Sequence, residues 1–230
     1  MFDLIIPCLF SHFHNLHLTL KSFQHLQLVN NIIIVLNDIQ DNTIDLINLQ
    51  KFNLQIIKFK NKINPGLARQ EGIKYSTSNY IIFHDADDLA HPDKILILKN
   101  MFEKYNCDHI LHFIQPIDFK FKPYDLNNIK IINTDSILKY YNKKKNMDFG
   151  NILGKRISHG LSSVKKSSIY NINWLDKKSG EDKDFNLKSL LSGNKLIIVD
   201  CFLSSYDRYK TKMMKKYHNK AWLELKDYIK

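Results

Sequence analysis

A short apolar run leads directly into three acidic residues in the segment Tyr80-Ile-Ile-Phe-His-Asp-Ala-Asp-Asp88. The run Tyr80–Phe83 has the length and composition of a buried β-strand that ends at polar residues. Similar apolar runs occur upstream, and they predict three further strands at Leu4–Leu9, Ile32–Leu36 and Leu54–Phe59. The acidic residues therefore follow the last of four predicted strands.

Amphipathic segments separate these strands. Apolar residues at helical spacing predict helices at Asn15–Leu26, Asn42–Leu49 and Gly66–Tyr75, and a fourth helix that begins at Pro92. Strands that alternate with helices predict right-handed βαβ units and a parallel sheet that is covered on both faces. We therefore predict an α/β fold with a mostly parallel central sheet flanked by helices.

The second half of the sequence is less regular. Its apolar runs predict strands at His109–Phe113, Lys130–Ile132 and Leu196–Phe202. Helical spacing predicts helices at Asp135–Tyr141, Asp182–Leu191 and Lys212–Ile229, and a loop is predicted over Asn142–Gly160. No linker rich in Pro, Gly or Ser divides the chain, so we predict a single domain over residues 1–230.

The chain is basic, with 34 Lys and Arg residues against 23 Asp and Glu residues and a net charge of +11. Such a charge favours anionic partners such as nucleic acid, an anionic membrane or a phosphorylated substrate. The lysines are spread along the chain rather than striped, so ordinary surface lysines explain the charge equally well. Because no nucleic-acid-reading motif is present, nucleic acid is not the predicted partner.

Cysteine usage and hydropathy indicate the compartment. Cys8, Cys107 and Cys201 form no CxxC pair, which argues against a disulfide framework or a zinc ribbon and is typical of a reducing compartment. The N-terminal segment lacks the basic residues of a signal peptide, and no apolar stretch approaches the ~20 residues that span a bilayer. We predict a cytoplasmic protein that is soluble or, through its basic C-terminal helix, peripherally attached to a membrane.

Asp85, Asp87 and Asp88 form the predicted functional cluster. Ligands of open parallel sheets bind beyond the carboxyl ends of the strands, and carboxylates gathered there repel one another unless a cation lies between them. Residues two apart on an extended segment face the same way, so Asp85 and Asp87 can converge on one ion. Their oxygen atoms favour Mn²⁺ or Mg²⁺, which usually arrive with substrate phosphates.

Other interpretations of this cluster are open. The acids could instead cap the following helix, where Asp88 or Asp93 would complement the helix dipole. An EF-hand fits badly because Ala90 stands where that loop requires glycine and the closing Glu is missing. A phosphatase of the haloacid dehalogenase type also places DxD after a strand, but Leu89 occupies the position of its usual Thr or Val.

Several segments, in order, resemble the family 2 glycosyltransferases, which have the GT-A fold. The first strand contains Ile5-Ile6-Pro7, the second ends at Asn37-Asp38, and the fourth leads into the DxD motif. The segment Asn64-Pro65-Gly66-Leu67-Ala68-Arg69-Gln70-Glu71-Gly72 is similar to the family's N-x-G-x-A-R-N-x-G helix start. The segment Gly180-Glu181-Asp182-Lys183-Asp184-Phe185 resembles the family's E-D-x-D-F signature. The resemblance implies a Rossmann-like nucleotide-diphospho-sugar transferase fold. Residues 1–105 would be its nucleotide-sugar-binding half, residues 106–210 its acceptor half and residues 211–230 a C-terminal helix.

The resemblance also implies roles for the matching residues. The donor nucleotide would be bound by Pro7, Asp38, Arg69, Asp85 and Arg208. Within this set, Asp38 would contact the base, Arg69 the diphosphate or ribose, and Asp85 the ribose or the metal. Asp87 would be the direct metal ligand. Asp182 would take the proton of the acceptor hydroxyl, with Glu181 and Asp184 as alternatives.

The sequence departs from the family pattern in three places. Gln70 replaces the Asn that usually follows the arginine. Pro7 is followed by Cys8-Leu9-Phe10, where the family more often has a small residue, Tyr and Asn. The late Y-R-x-H pattern is only partly matched by Tyr206-Asp207-Arg208-Tyr209.

Some residues have a structural interpretation that competes with the functional one. Arg69 could pair with Glu71 or Asp41 on the surface, and His84 fits a core histidine better than a ligand. The segment His159-Gly160-Leu161-Ser162-Ser163 falls where the family places residues near the acceptor, although a Gly/Ser turn between strands explains it equally well.

Together these residues predict an inverting, metal-dependent glycosyltransferase. It would move a sugar from a nucleotide-diphosphate sugar, such as a UDP-sugar, to a hydroxyl of a glycan, protein or lipid, with Mn²⁺ or Mg²⁺ as cofactor. The competing hypotheses are a metal-dependent phosphatase or nucleotidyltransferase, and a basic nucleic-acid-binding protein. A nucleotidyltransferase would usually carry a Gly-rich phosphate loop after its first strand, and the sequence has none there.

Overall fold

The computed structural model describes residues 1–39, 52–144, 155–177 and 179–206. The predicted helices at Asn42–Leu49 and Lys212–Ile229 and the predicted donor contact Arg208 lie outside the described residues. Strands and helices alternate through the first half of the chain, in the order that the apolar spacing predicts.

Nine strands in the described ranges form one sheet. They are β1 Phe2–Leu9, β2 Val29–Asn37, β3 Leu54–Lys58, β4 Tyr80–Phe83, β5 Leu89–Ala90, β6 His109–Pro116, β7 Ile131–Ile132, β8 Ser163–Lys165 and β9 Leu196–Tyr206. Their order is β3-β2-β1-β4-β8-β6-β9-β5, and β7 pairs with β9 outside this path. Strand β4 has the predicted bounds, and the other strands predicted from apolar runs are present with at least one end shifted. Strands β5 and β8 are not among the predicted strands.

Five α-helices accompany the sheet in the same ranges. They are α1 Leu16–Ser22, α2 Pro65–Tyr75, α3 Lys94–Tyr105, α4 Thr134–Lys144 and α5 Glu181–Leu191. Short 3-10 turns cover Phe10–Asn15, Leu26–Leu28 and Lys166–Ile169. The predicted helix at Asn15–Leu26 is therefore shorter than expected, because Phe23 takes an extended conformation (φ -77°, ψ 125°) directly after Ser22 and ends helical geometry.

Two helix starts differ in how they are capped. In α2 the Oδ1 atom of Asn64 accepts a hydrogen bond from Leu67 N at 2.8 Å, and Pro65 occupies the first turn. Helix α3 begins at Lys94 rather than at Pro92, and Asp93 at its start makes no side-chain capping bond. Asp93 instead binds His25 Nε2 at 3.1 Å, so the capping interpretation of the acidic cluster finds no support at this helix.

The sheet is parallel in its first half and mixed in its second. Strands β3, β2, β1 and β4 are all parallel, as the βαβ pattern predicts. Strand β8 then runs antiparallel to both β4 and β6, while β6 and β9 are parallel. The predicted parallel pairing is therefore present in the first four strands and between β6 and β9, whereas the antiparallel β8 is not predicted, because its three residues form no apolar run.

Both faces of the first-half sheet are buried. Alternating residues of β1 point to opposite sides, so Leu4 and Ile6 join one core cluster and Ile5 joins the other. The first cluster includes residues of α1 and α3, and the second includes Trp174 and Phe185 of the α5 region. This two-sided cover leaves the carboxyl ends of β1, β2 and β4 as the edge where side chains can meet a ligand.

A buried carboxylate ties the opposite edge of the sheet together. Asp3 is fully buried and accepts six hydrogen bonds: from the backbone and side chain of Asn31, the hydroxyl of Ser76, the backbone of Thr77, and the backbone and side chain of Ser78. Burial alone would raise the pKa of Asp3, but the hydrogen bonds from Ser78, Ser76 and Thr77 bring it below the ordinary value. Asp3 therefore joins β1, β2 and the turn after α2.

Asp3→Ala is expected to lower the free energy of unfolding by about 3 kcal/mol at pH 7, because it leaves buried donors without a partner. Since the folded-state pKa lies below the unfolded value near 3.8, this contribution is present above pH 3.8 and is lost as the pH falls through the folded-state pKa. Urea unfolding followed by tryptophan fluorescence measures both effects.

Glu103→Ala is the control for this experiment. Glu103 is exposed, and among the described residues its one ion pair is with Lys99 on α3, so its loss is expected to cost at most about 0.5 kcal/mol. A gap between wild type and Asp3→Ala that stayed constant from pH 7 to pH 3 would contradict the assigned role of the carboxylate.

Candidate functional site

The predicted donor-site residues gather at the carboxyl edge of β1, β2 and β4. Pro7 lies buried in β1, beyond the last residue that pairs with β4, so its missing N–H costs no ladder bond on that side. Asp38 follows β2 with a left-handed φ of 62°, and its backbone N donates to Asn61 O at 3.4 Å. A left-handed non-glycine residue at a ligand-binding edge is typical of a functional position.

The acidic turn between β4 and β5 is anchored from α1. Thr19 Oγ1 donates to Ala86 O at 2.7 Å, and Ser22 Oγ accepts from Ala90 N at 2.8 Å. Asp88 N donates to Asp85 O at 3.3 Å, which closes the turn. These bonds hold the backbone that carries the three carboxylates.

The carboxylates of the site repel one another. The pKa of Asp85 lies above its ordinary value because burial raises it and Asp87 and Asp182 add negative charge, although Arg69 opposes them. The pKa of Asp88 is raised well above its ordinary value by burial and by Asp85 and Asp87. An opposite charge bound between these groups would stabilise their ionised forms.

Arg69 is almost fully buried and connects two parts of the site. Its Nη2 donates to Asp85 Oδ1 at 2.5 Å, and its Nη1 lies 3.8 Å from Glu181 Oε1. Its guanidinium stacks over Trp174 at 4.9 Å. The alternative pairing with Glu71 does not occur, because Glu71 binds a lysine within α2; Asp41 lies outside the described residues.

The E-D segment forms the start of α5, as predicted. Gly180 precedes it with φ 79°, and Glu181, Asp182 and Asp184 occupy the first turn, where acids complement the helix dipole. Asp184 pairs with Lys177 Nζ at 3.1 Å. Burial raises the pKa of Glu181, Asp182 adds to this effect, and Arg69 opposes it.

These three acids differ in their partners. Asp184 also lies 3.7 Å from Lys188 Nζ, so its charge is balanced by two lysines. Asp182 Oδ1 accepts only from the backbone N of Lys183 at 2.7 Å among the hydrogen bonds described for it. Asp182 is also close enough to Asp85 for its charge to raise the pKa of that residue. The structure thus brings Asp182 and Glu181 to the acidic turn and turns Asp184 towards lysines.

Three residues at the site have no predicted role. His12 follows β1 and lies 3.4 Å from Asp87 Oδ2. Trp174 supports Arg69 and stacks on Phe185 at 4.1 Å. Lys94 is completely buried beside His84, which is a core histidine as predicted. Only the position of His12, just after the first strand, could have indicated its place from the sequence.

The departure at Gln70 has a structural explanation. Gln70 Oε1 accepts from Trp174 N at 3.0 Å and so holds the tryptophan that stacks on Arg69. A carboxamide one methylene longer than the usual Asn reaches this backbone group. The substitution therefore supports the site rather than disrupting it.

Gly160 leaves room for the arginine. A Cβ atom at this position would lie 2.8 Å from Arg69 Nη2, the atom that binds Asp85. The His159–Ser163 segment thus packs under the site, and Ser162 O accepts from Phe83 N at 3.0 Å. Its predicted contact with an acceptor stays a prediction.

Gly160→Ala is expected to displace the Arg69 guanidinium and to weaken binding of UDP with Mn²⁺ about tenfold, which corresponds to the loss of one charged hydrogen bond. Titration calorimetry measures the change. Ser162→Ala is the matched control, because the Ser162 hydroxyl has no hydrogen-bond partner among the described residues. Equal affinities of Gly160→Ala and wild type would show that Arg69 does not set the position of Asp85.

The donor atoms fit a divalent cation that takes part of its shell from a substrate. Asp85 and Asp87 offer carboxylate oxygens, which Mg²⁺ and Mn²⁺ prefer. No three His, Cys, Asp or Glu side chains in the described part of the chain are arranged to hold a metal alone. A Mg²⁺ ion held by one or two carboxylates usually completes its coordination with substrate phosphates and water.

Comparison with known proteins places the chain in a sequence family. A family model described as Glycosyl transferase family 2 matches residues 3–171. The chain is also similar to the poly(ribitol-phosphate) beta-N-acetylglucosaminyltransferase TarP of Staphylococcus aureus (strain N315), with 25% identity over 202 residues. That match covers 83% of this chain and 57% of TarP, so the chain spans a little over half the length of this relative.

Solved structures of S. aureus TarS share the fold. TarS 1–349 in complex with UDP-GlcNAc superposes with a TM-score of 0.69 at 15% identity, covering 93% of this chain and 60% of that one. The complex of TarS 1–349 with UDP superposes with a TM-score of 0.67 at 16% identity, and the match covers 90% of this chain and 60% of the TarS chain. The predicted GT-A architecture is thereby confirmed. Separately, no helix in the described ranges has the length and apolar character needed to cross a membrane.

Proposed function

The chain belongs to glycosyl transferase family 2, and from this membership we propose that it is an inverting, metal-dependent glycosyltransferase that uses a UDP-sugar. The observation that carries the proposal is the convergence of Asp85, Asp87 and Asp182 at one edge of the sheet. Metal-ligand carboxylates and a proton acceptor are the two groups that this transfer requires.

The donor is proposed to bind across the carboxyl ends of β1, β2 and β4. Pro7 and Asp38 lie at the ends of the first two strands, where the nucleoside would rest, and Asp85 follows the third. Arg69 holds Asp85 in place and leaves Nε and Nη1 without a hydrogen-bond partner in the described residues. The guanidinium charge at this edge of the sheet supports its proposed contact with the diphosphate or ribose. Arg208 is proposed to close over the diphosphate.

Asp87 and Asp85 are proposed to hold Mn²⁺ or Mg²⁺. Such an ion would offset the negative charge that develops on the departing diphosphate. The raised pKa of Asp85 supports this role, because a carboxylate crowded by like charges binds a cation favourably. His12 lies against Asp87 and orients its carboxylate.

Asp182 is proposed as the base. It takes the proton of the acceptor hydroxyl while that oxygen forms a bond to the anomeric carbon of the sugar. The bond from this carbon to the diphosphate breaks in the same step, and its electron pair leaves with UDP. Attack from the face opposite the leaving group inverts the anomeric configuration. Asp184 is a weaker candidate because two lysines neutralise its charge, and Glu181 faces Arg69.

The relatives suggest which substrates to test first. TarS structures hold UDP-GlcNAc and UDP, and TarP is named as an N-acetylglucosaminyltransferase that acts on poly(ribitol-phosphate). We therefore propose UDP-GlcNAc as the first donor and an anionic, phosphate-bearing polyol or glycan as the first acceptor class. The net charge of +11 supports an anionic acceptor.

Titration calorimetry with UDP, in the presence and absence of Mn²⁺, tests the donor site. We expect binding that requires the metal, followed by release of UDP from UDP-GlcNAc when an acceptor is supplied. NMR of the product then gives the anomeric configuration, and retention would exclude the single-displacement step. Absence of UDP binding under every metal condition would remove the UDP-sugar assignment and favour other nucleotides, then the phosphatase and nucleic-acid hypotheses.

A further inference from the structure

A lysine is buried directly beneath the acidic turn. Lys94 has no solvent exposure, although it is the first residue of α3. Its Nζ lies 3.1 Å from His84 Nδ1 and 3.0 Å from Ser204 Oγ. No carboxylate of the described residues lies within salt-bridge distance of it. Burying an amine without a direct ion pair is costly, so its retention needs a reason.

The contacts of His84 show what the lysine does. A carbonyl oxygen can only accept, so the contact of His84 Nε2 with Asp88 O places the hydrogen of the neutral ring on Nε2 and leaves Nδ1 to accept from Lys94. That Nε2 lies 3.3 Å from Asp88 O and donates to it. The result is a directed chain of two hydrogen bonds from Lys94 through His84 to the backbone of the acidic turn.

The surroundings keep this chain in one geometry. His84 is completely buried, and its backbone N donates a hydrogen bond to Ile5 O at 3.0 Å, next to the paired part of β1 and β4. Its ring makes a T-shaped contact with the ring of Phe23, with the two ring centroids 4.9 Å apart. Burial lowers the pKa of Lys94 to about 7, and Asp88 and Asp85 oppose this effect. Both the amine and the ammonium carry hydrogens to donate, so the chain does not depend on the charge of Lys94.

We propose that Lys94 is a positioning residue for the acidic turn and acts on it through His84. The chain fixes the carbonyl of Asp88 from the protein interior, while Thr19 fixes the carbonyl of Ala86 from α1. With both carbonyls held, the backbone that presents Asp85 and Asp87 has a single geometry. The consequence for donor binding rests on the proposed function, but the effect on the turn itself does not.

Amide hydrogen exchange of the Asp85–Ala90 backbone tests the chain without any ligand. Lys94→Met removes its first link and His84→Phe removes both, and each is expected to speed exchange of these amides about tenfold or more. Ser204→Ala removes the other partner of Lys94 and leaves the chain intact, so it is expected to match wild type. Exchange in Lys94→Met equal to that in Ser204→Ala would overturn the proposal.

The double variant separates a relay from two independent packing defects. Because the two hydrogen bonds are in series, the Asp85–Ala90 amides of the double variant Lys94→Met/His84→Phe are expected to exchange no faster than those of His84→Phe alone. Exchange in the double variant that was faster by the sum of the two single effects would overturn the proposal. UDP binding with Mn²⁺ is then expected to weaken about tenfold in Lys94→Met and to stay unchanged in Ser204→Ala. If wild type itself fails to bind UDP, the proposed function fails, and the exchange result still decides the role of Lys94.

Discussion

Asp87→Asn is expected to abolish metal-dependent UDP binding and to lower kcat/KM by about 1,000-fold. The amide keeps the shape of the side chain but removes the charge that binds the cation, and loss of one transition-state charge contact costs about 100- to 1,000-fold. Binding is measured by calorimetry with Mn²⁺, and turnover by release of UDP. The protein is expected to stay folded, because Asp87 raises the pKa of Asp85 and Asp88 and its neutralisation relieves that repulsion.

Asp93→Asn is the matched control for this substitution. Asp93 is an aspartate six residues further along the chain, and its carboxylate faces His25 at the start of α3. We expect UDP binding and turnover close to those of wild type. Metal-dependent UDP binding that persisted in Asp87→Asn would show that another group holds the cation and would contradict the assignment.

The donor half of the site could be predicted because its parts are local in sequence. A buried strand reveals itself by an apolar run, and the residues that follow it must lie at the carboxyl edge of a parallel sheet. Asp85 is predicted at this edge on this basis and Asp38 from the family resemblance, and each follows a parallel strand in the structure. The first four strands are parallel for the same reason.

The remainder of the site depends on contacts between distant residues. Arg69 and Gly160 are 91 positions apart, and nothing in either segment shows that one makes room for the other. In the sequence, Lys94 resembles an ordinary surface lysine on an amphipathic helix. It is buried only because β9 and His84 pack around it in the folded structure. Strand β8 is three residues long, and its pairing with β4 and β6 comes from the sheet rather than from its own composition.

Asp182→Asn is expected to lower kcat by about 1,000-fold while UDP binding with Mn²⁺ changes by less than about threefold. General-base catalysis contributes about 100- to 10,000-fold, and the amide cannot accept the proton of the acceptor hydroxyl. Asn keeps an oxygen for the bond from Lys183 N, so the start of α5 is expected to keep its fold. Donor binding is proposed to depend on Asp85 and Asp87, which this change leaves in place.

Asp184→Asn distinguishes the base from its neighbour in the same helical turn. Because Asp184 is already paired with Lys177 and Lys188, its neutralisation removes surface ion pairs and is expected to change kcat only a few-fold. Single-turnover measurements on both variants report the chemical step directly. A larger loss in Asp184→Asn than in Asp182→Asn would transfer the role of base to Asp184, and it would mean that the two lysines release this carboxylate when the acceptor binds.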